Sequence, residues 1–469
     1  MSPFQFFNYN AESLFLLSPS MKKLVTFLLP MVLIVFSSVV ANATPDEKKA
    51  TQNLDQPDNS RSWQKLGEIK TNYENGSAYS SQVALDSAGN AIAVWEQFDK
   101  PIRDGGKSIG YWASRYTPQN GWDKAEKISA DETEYPSYLD ITMGASGNAV
   151  VTWVEDEIWS TTYKPNKGWG KPQKIKNSYA SSGPHVVMSS SGKGIMAWDK
   201  YYKGIGVAHY DPESGWGDAV TIYNGSTLFA VPKVAINDSG NILLAWSGRT
   251  KKEPTSLSDI MAIYYTPKTG WSDAEKLKTQ NVYTINPTID SSGNGHLAWS
   301  NIKPDNINMW SSRYILGKGW SEEQKINSIA SDQHTEVNIS TDPSGNTFAI
   351  WSQKKDKCYC LWVNHFTEKE GWGTAQRIDI ESGRGRIERL KIVVDASGNF
   401  IAIWQQDNSI FATHLSSQNK KGASHKLDQI KYGLGTPVSD ISITPAGNAI
   451  AVWGQPHNKR YITKFRQFK

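Results

Sequence analysis

The apolar residues of this chain fall in short runs of strand length, separated by turn-forming Gly, Asn, Asp and Ser, and not at helical spacing. Ala91-Ile-Ala-Val-Trp95 and Phe400-Ile-Ala-Ile-Trp404 are typical. Runs that are apolar on both faces are expected where one sheet is sandwiched between two others. Eight of them end in tryptophan: Trp95, Trp153, Trp198, Trp246, Trp299, Trp351, Trp404 and Trp453. A glycine stands six residues before each, followed by Asn in every copy but the third, which has Lys193. Successive tryptophans are 58, 45, 48, 53, 52, 53 and 49 residues apart, and a period near 50 predicts a propeller or a solenoid.

The segment before each run has its own chemistry. Asp86, Asp290, Asp342 and Asp395 take the first position of a type I turn, and Pro343 and Pro445 the second. The glycine takes the left-handed position that leads into a bulge, so each phrase reads as a tight hairpin. A second phrase alternates with the first: Gly121-Trp122 to Ile128, Gly168-Trp169 to Ile175, Gly215-Trp216 to Ile222, Gly270-Trp271 to Leu277, Gly319-Trp320 to Ile326 and Gly371-Trp372 to Ile378. The strand before it ends in Tyr116, Tyr163, Tyr210, Tyr265, Tyr314 or Phe366. Each repeat therefore holds four strands. Strand A precedes the Asp/Gly turn, B ends in Trp, C ends in an aromatic residue, and D begins at Gly-Trp. Four antiparallel strands per repeat make a propeller blade.

Counting strands predicts how the ring closes. A seventh D strand, Lys426-Leu-Asp-Gln-Ile430, has lost its Trp, and the eighth set ends at Tyr461 to Phe465 with no D strand after it. A D-like strand without a blade, Trp63 to Ile69, precedes the first set and supplies the missing edge. The expected fold is all-β: a single eight-bladed β-propeller of four-stranded antiparallel blades over residues 62–469, closed by the N-terminal strand joining the last blade. A solenoid would leave that strand unexplained and would need capping repeats.

The first 61 residues read differently. Met21-Lys22-Lys23, the uncharged apolar run Leu24 to Val40, and Ala41-Asn42-Ala43 have the layout of a secretory signal peptide, with Met21 as the true start. Residues 1–43 are expected to be a signal segment and 44–61 a polar linker. The product would then be exported to the periplasm or outside the cell, with no stable membrane span after cleavage. A retained anchor is the alternative reading of the apolar run.

Composition narrows the function classes. Of 469 residues, 50 are Lys or Arg and 46 Asp or Glu, a net charge of +4 that does not point to nucleic acid. The eight His are scattered and show no metal-ligand spacing, no phosphate-cradling loop is present, and no nucleophile elbow appears, so neither cofactor nor metal is expected. Cys358 and Cys360, two apart on one strand face, are expected to make a poor disulfide.

Nineteen tryptophans remain to be explained. The eight in B strands and seven in D strands follow the repeat and are expected to form the core between blades. Trp112, Trp159, Trp310 and Trp362 do not follow it strictly; each lies four residues before the terminal aromatic of strand C, near the B–C loops. Those loops vary in length, from Glu155–Glu157 to Gln97–Ser108 and Gly248–Ser258, whereas the A–B turns are constant. A constant end and a variable end point to a binding face at the latter. Two residues after the B-strand Trp stand Gln97, Asn301, Gln353, Gln406 and Gln455 among the eight repeats. An amide beside an aromatic ring suits a sugar, through stacking and paired hydrogen bonds. The pairs are Gln97 with Trp112, Gln353 with Trp362, and Gln455 with Tyr461; the alternative is that these residues close the hairpin.

The order Ala91 to Gln97, Ile109, Arg115-Tyr116, Gly121-Trp122 resembles a blade of the fucose-binding propeller lectins. The resemblance runs through all eight units and implies sugar binding. The lectins' binding Arg and Glu have no counterpart at Gly110 or Trp159, so no binding residue is carried over. Sialidases and quinoprotein dehydrogenases are similar in architecture only, because their Gly-to-Trp steps differ from six. The expected function is an exported, non-enzymatic propeller that recognises a glycan or a protein partner through its variable loops. A sialidase-like glycan-processing enzyme and an envelope scaffold are the alternatives.

Overall fold

The structure is a computed structural model that describes residues 61–71, 76–130, 137–180, 183–200, 203–225, 231–248, 259–279, 282–301, 307–328, 331, 336–355, 358–379, 385–416, 424–430, 439–457 and 460–469. The signal segment, most of the linker and the Gly248–Ser258 loop beyond its first residue lie outside the described residues.

Eight antiparallel sheets follow one another along the chain. In blade 1, strand A is Ser77–Leu85, B is Ala91–Phe98 and C is Ser108–Thr117. Its strand D is broken into Gly121–Trp122 and Glu126–Lys127, both paired with C. The same break recurs through blade 6. Each strand A packs against strand A of both neighbours, and blade 8 meets blade 1, so the ring is closed with the A strands innermost.

The predicted turn chemistry is present. Asp86 Oδ1 accepts the Ala88 and Asn90 N–H groups at 2.9 and 2.8 Å, and Oδ2 accepts Asn90 Nδ2 at 2.7 Å. Gly89 sits at φ 82°, a conformation that costs a side-chain-bearing residue roughly 1 kcal/mol or more. The Asp342 and Asp395 turns repeat all of these bonds.

The core lies between blades. Each of the eight interfaces holds one apolar cluster, and each cluster contains one B-strand tryptophan contributed by the later blade of the pair. All eight are no more than 2% exposed. The D-strand tryptophans pack on the terminal aromatic of their own blade, as Trp122 does on Tyr116 (5.4 Å between ring centroids), and reach the preceding blade, as Trp122 does at Phe465 (5.5 Å).

Blade 8 closes as the strand count requires. Gly67–Ile69 pairs antiparallel with Thr463–Phe465, and Trp63 bridges to Phe468. Two sequence expectations are corrected here. Strand C of blade 8 runs Arg460–Phe468, with Phe468 opposite Ala449, so the terminal aromatic is Phe468 and not Phe465. The residue across from Trp453 is consequently Lys464, while Tyr461 pairs with Pro456 and Gln455 with Ile462. Two aromatics three residues apart made the register ambiguous. The second correction is that Cys360 is disulfide-bonded, and the chain's one other cysteine is Cys358.

Candidate functional site

The four irregular tryptophans occupy one repeated setting. Trp112, Trp159, Trp310 and Trp362 lie directly across from Trp95, Trp153, Trp299 and Trp351 on strand B. On their other side stand Lys127, Lys174, Lys325 and Arg377 of strand D. All four are half-buried and packed against the cluster shared with the preceding blade. Each tryptophan thus packs on an apolar cluster and stands in register with a cationic residue of strand D.

The four glutamines are buried, and each makes hydrogen bonds within the chain. Gln97 Oε1 accepts the Trp95 indole N–H at 3.0 Å, and its Nε2 donates to the Ser77 and Phe98 carbonyls. Gln353 accepts from Trp351 at 3.3 Å. Gln406 donates to the Tyr359 and Gly385 carbonyls, and Gln455 to the Gln429 carbonyl. Glu155 plays the Gln97 part in blade 2, accepting from Trp153 at 2.9 Å. Glu157 is tied to Lys174 at 2.8 Å.

A second constellation was not singled out in the sequence. The inner strands enclose an axial channel of about 810 Å³. One position on each strand A is polar in all eight blades: Gln82, Asp140, His185, Lys233, Asn286, Asn338, Lys391 and Asp440. Each is opposite the residue preceding the B-strand tryptophan, and six of them line the channel. Each stands 13 residues before that tryptophan, which is the signal that could have found them.

Most of this ring clasps neighbouring blades. Asp440 Oδ2 accepts Val83 N–H, Asp140 Oδ2 accepts Val186 N–H, and His185 Nδ1 accepts Val234 N–H, at 3.0, 3.0 and 3.2 Å. Gln82, Asn286 and Asn338 donate their amide N–H to the Leu139, Val337 and Leu390 carbonyls. These bonds satisfy backbone groups on the innermost strands, which have no further strand to pair with. Burial pushes the Asp140 carboxyl up to about 6, against the pull of the Val186 N–H and of Lys233 and Lys391. Burial also holds His185 well below the ordinary histidine range, so it is neutral at pH 7.

The mouth of the channel lies where the A strands begin, the end that also carries the B–C loops. Two residues before Gln82, Asp140 and Lys391 stand Ser80, Tyr138 and Arg389, all exposed and all at φ 55–57°. Each sits at a bulge in strand A. Left-handed backbone at residues other than glycine costs on the order of 1 kcal/mol and concentrates at ligand sites. Tyr138 is 57% exposed. It lies against Gly183, where any Cβ would run into the tyrosine ring.

Glu96, beside Trp95, is a second carboxyl with a large shift: burial raises it to about 7, opposed by a hydrogen bond from Ser108. Among the described residues no group of three or more His, Cys, Asp or Glu is placed to hold a metal ion.

No family model matches the chain, and no curated protein matches it. Solved structures do match. An ulvan lyase described as a new family of polysaccharide lyase aligns with a TM-score of 0.51 at 9% identity, covering 77% of this chain and 98% of that one. A protein of unknown function from Dyadobacter fermentans aligns at 0.42 and 9% identity, covering 87% and 99%. The fucose-specific lectin of Aleuria aurantia aligns at 0.37 and 13% identity, covering 63% and 98%. The structural neighbours of this eight-bladed propeller therefore include both fucose-binding lectins and polysaccharide lyases, and at these identities the likeness is one of fold.

Proposed function

We propose that this chain is an exported glycan-binding propeller that takes its ligand at the loop-rich end, where the axial channel opens. The carrying observation is Tyr138, an exposed aromatic ring on strained backbone above a ring of hydrogen-bonding side chains. Two carboxylates and two ammonium groups balance in that ring, so it favours a polyhydroxylated ligand over a polyphosphate. An aromatic platform beside convergent polar groups is what a sugar needs, since its ring stacks and its hydroxyls both donate and accept. Trp112, Trp159, Trp310 and Trp362 offer further aromatic surface between blades. The buried glutamines enter this reading only as internal supports, Gln97 and Gln353 for a tryptophan indole and Gln406 and Gln455 for backbone carbonyls.

The test is a glycan array probed with the chain lacking residues 1–43, with Tyr138→Ala and Trp310→Ala in parallel. Binding by the wild type that weakens in Tyr138→Ala supports the reading, and failure to bind any glycan sinks it. Export is tested by the N-terminus of the secreted protein, expected at Thr44. The glycan-processing reading is favoured by one observation, the raised Glu96 carboxyl. Turnover of glycosides or polysaccharides that disappears in Glu96→Gln would establish it.

A further inference from the structure

Among the described residues, the axial channel holds one lysine that makes no hydrogen bond or close ion pair. Lys391, the other lysine of the inner ring, is paired with Asp440 at 3.6 Å. Lys233 lines the same channel from blade 4, and among the described residues no hydrogen bond or ion pair reaches its ammonium. Burial lowers its pKa, opposed by Asp140. A half-buried amine whose hydrogen-bonding capacity is unused is destabilising unless something takes it up.

Its neighbour in the ring is a second donor. His185 uses Nδ1 to accept the Val234 N–H, so the proton of the neutral imidazole resides on Nε2. The two carboxylates of the channel, by contrast, are already engaged. Asp140 accepts from Val186 and Ile141 with its two oxygens, and Asp440 from Val83 and Lys391. The arc across blades 3 and 4 thus presents two donors, His185 and Lys233, to the channel. Gly183, Tyr138 and the exposed Val231 surround the entrance to that arc.

We propose that Lys233 and His185 form a carboxylate subsite, and that the glycan taken by this propeller is an acidic one, carrying a uronate group. This rests on the glycan-binding reading above and gives it a chemical class. The preference for a monoanion follows from the channel's other charges. Asp140 and Asp440 stand on the same ring and repel a dianion such as a phosphate monoester, whereas one carboxylate matches one ammonium and one imidazole N–H. The sugar face then stacks on Tyr138 at the mouth.

The experiment is titration calorimetry on the folded chain with galacturonate and glucuronate trimers, the corresponding neutral trimers, and a monosulfated neutral trimer. The wild type is expected to bind at least one acidic trimer tenfold or more tightly than its neutral counterpart. Lys233→Met should erase that difference while leaving the neutral trimer's affinity in place, and Lys233→Arg should restore part of it. His185→Gln, which keeps a donor, should retain most of the preference, so loss through misfolding is distinguishable from loss of the charge. Equal binding of acidic and neutral trimers by the wild type overturns the carboxylate subsite and leaves the glycan reading standing. Tighter binding of the sulfated trimer than of either uronate overturns the carboxylate assignment. No binding by any trimer or any array glycan overturns both.

Discussion

Trp95 donates its indole N–H to Oε1 of Gln97 at 3.0 Å, two residues further along the same strand, with both side chains shut away from water. The residue two positions on shares the tryptophan's strand face and can accept its one polar hydrogen. Glu155 and Gln353 do the same for Trp153 and Trp351. In blade 8 the acceptor comes from another blade, Asp428 Oδ2 at 3.0 Å from Trp453 Nε1. Among the described residues Trp198, Trp246, Trp299 and Trp404 have no such acceptor.

Gln97→Leu is accordingly expected to destabilise the propeller by about 2 kcal/mol, because it leaves the Trp95 indole and two carbonyls without their partner. Urea unfolding measures this. If the amide instead served a ligand, stability would be unchanged and glycan affinity would fall.

Closure of the ring depends on a glycine. A Cβ on Gly67 would land within the phenyl ring of Phe465, the residue opposite it in blade 8. Gly67→Val should therefore detach the N-terminal strand at a cost of about 1–3 kcal/mol and expose the edge of strand C. Limited proteolysis should then cut near residues 62–69 in the variant and spare them in the wild type.

Histidines kept neutral by burial set the acid side of the stability profile. His296 is 3% exposed, packs on Phe366 with ring centroids 4.4 Å apart, and among the described residues has no hydrogen-bond partner at either ring nitrogen. Burial pushes it down to about 3, helped by Arg313. Its folded pKa lies below the unfolded value, so the unfolded chain takes up the proton first, and stability falls as pH drops below about 6.5. Between pH 7 and pH 5 the loss from this one group is roughly 2 kcal/mol. His296→Phe should remove that part of the slope in urea titrations at the two pH values; an unchanged slope would contradict the assignment.

Asp140 acts with the opposite sign. Its folded pKa, about 6, lies above the unfolded value, so its contribution is fully present below about pH 4 and is lost as pH rises through 6. Asp140→Asn keeps an acceptor for the Val186 N–H and should flatten stability between pH 4 and 6 relative to the wild type. The measurement is the difference between the two proteins' melting temperatures across that window, which should narrow as pH falls.

The fold was legible because tryptophan marks the same place in every blade, and a large residue at a fixed offset survives the drift of its neighbours. The strand without a blade at Trp63 to Ile69 was legible for the same reason. Blade 8's register was not, since Phe465 and Phe468 both satisfy an aromatic at the strand end. The inner ring was written in the sequence, 13 residues before each tryptophan, yet a polar residue in one buried strand looks like an exception. It becomes a pattern only when all eight strands are laid in register. What no single strand shows is which of those polar groups the next blade satisfies: Asp140 accepts from Val186, whereas Lys233 makes no hydrogen bond or close ion pair among the described residues.

Tyr138 offers the most direct test of the glycan-binding account. Tyr138→Gly removes the ring and relieves the left-handed strain at φ 57° in one step. The account predicts a variant at least as stable as the wild type whose glycan affinity, measured by titration calorimetry on the best array ligand, falls about tenfold, the worth of one stacked ring. Undiminished affinity in that variant, or a wild type that binds no glycan at all, would contradict it.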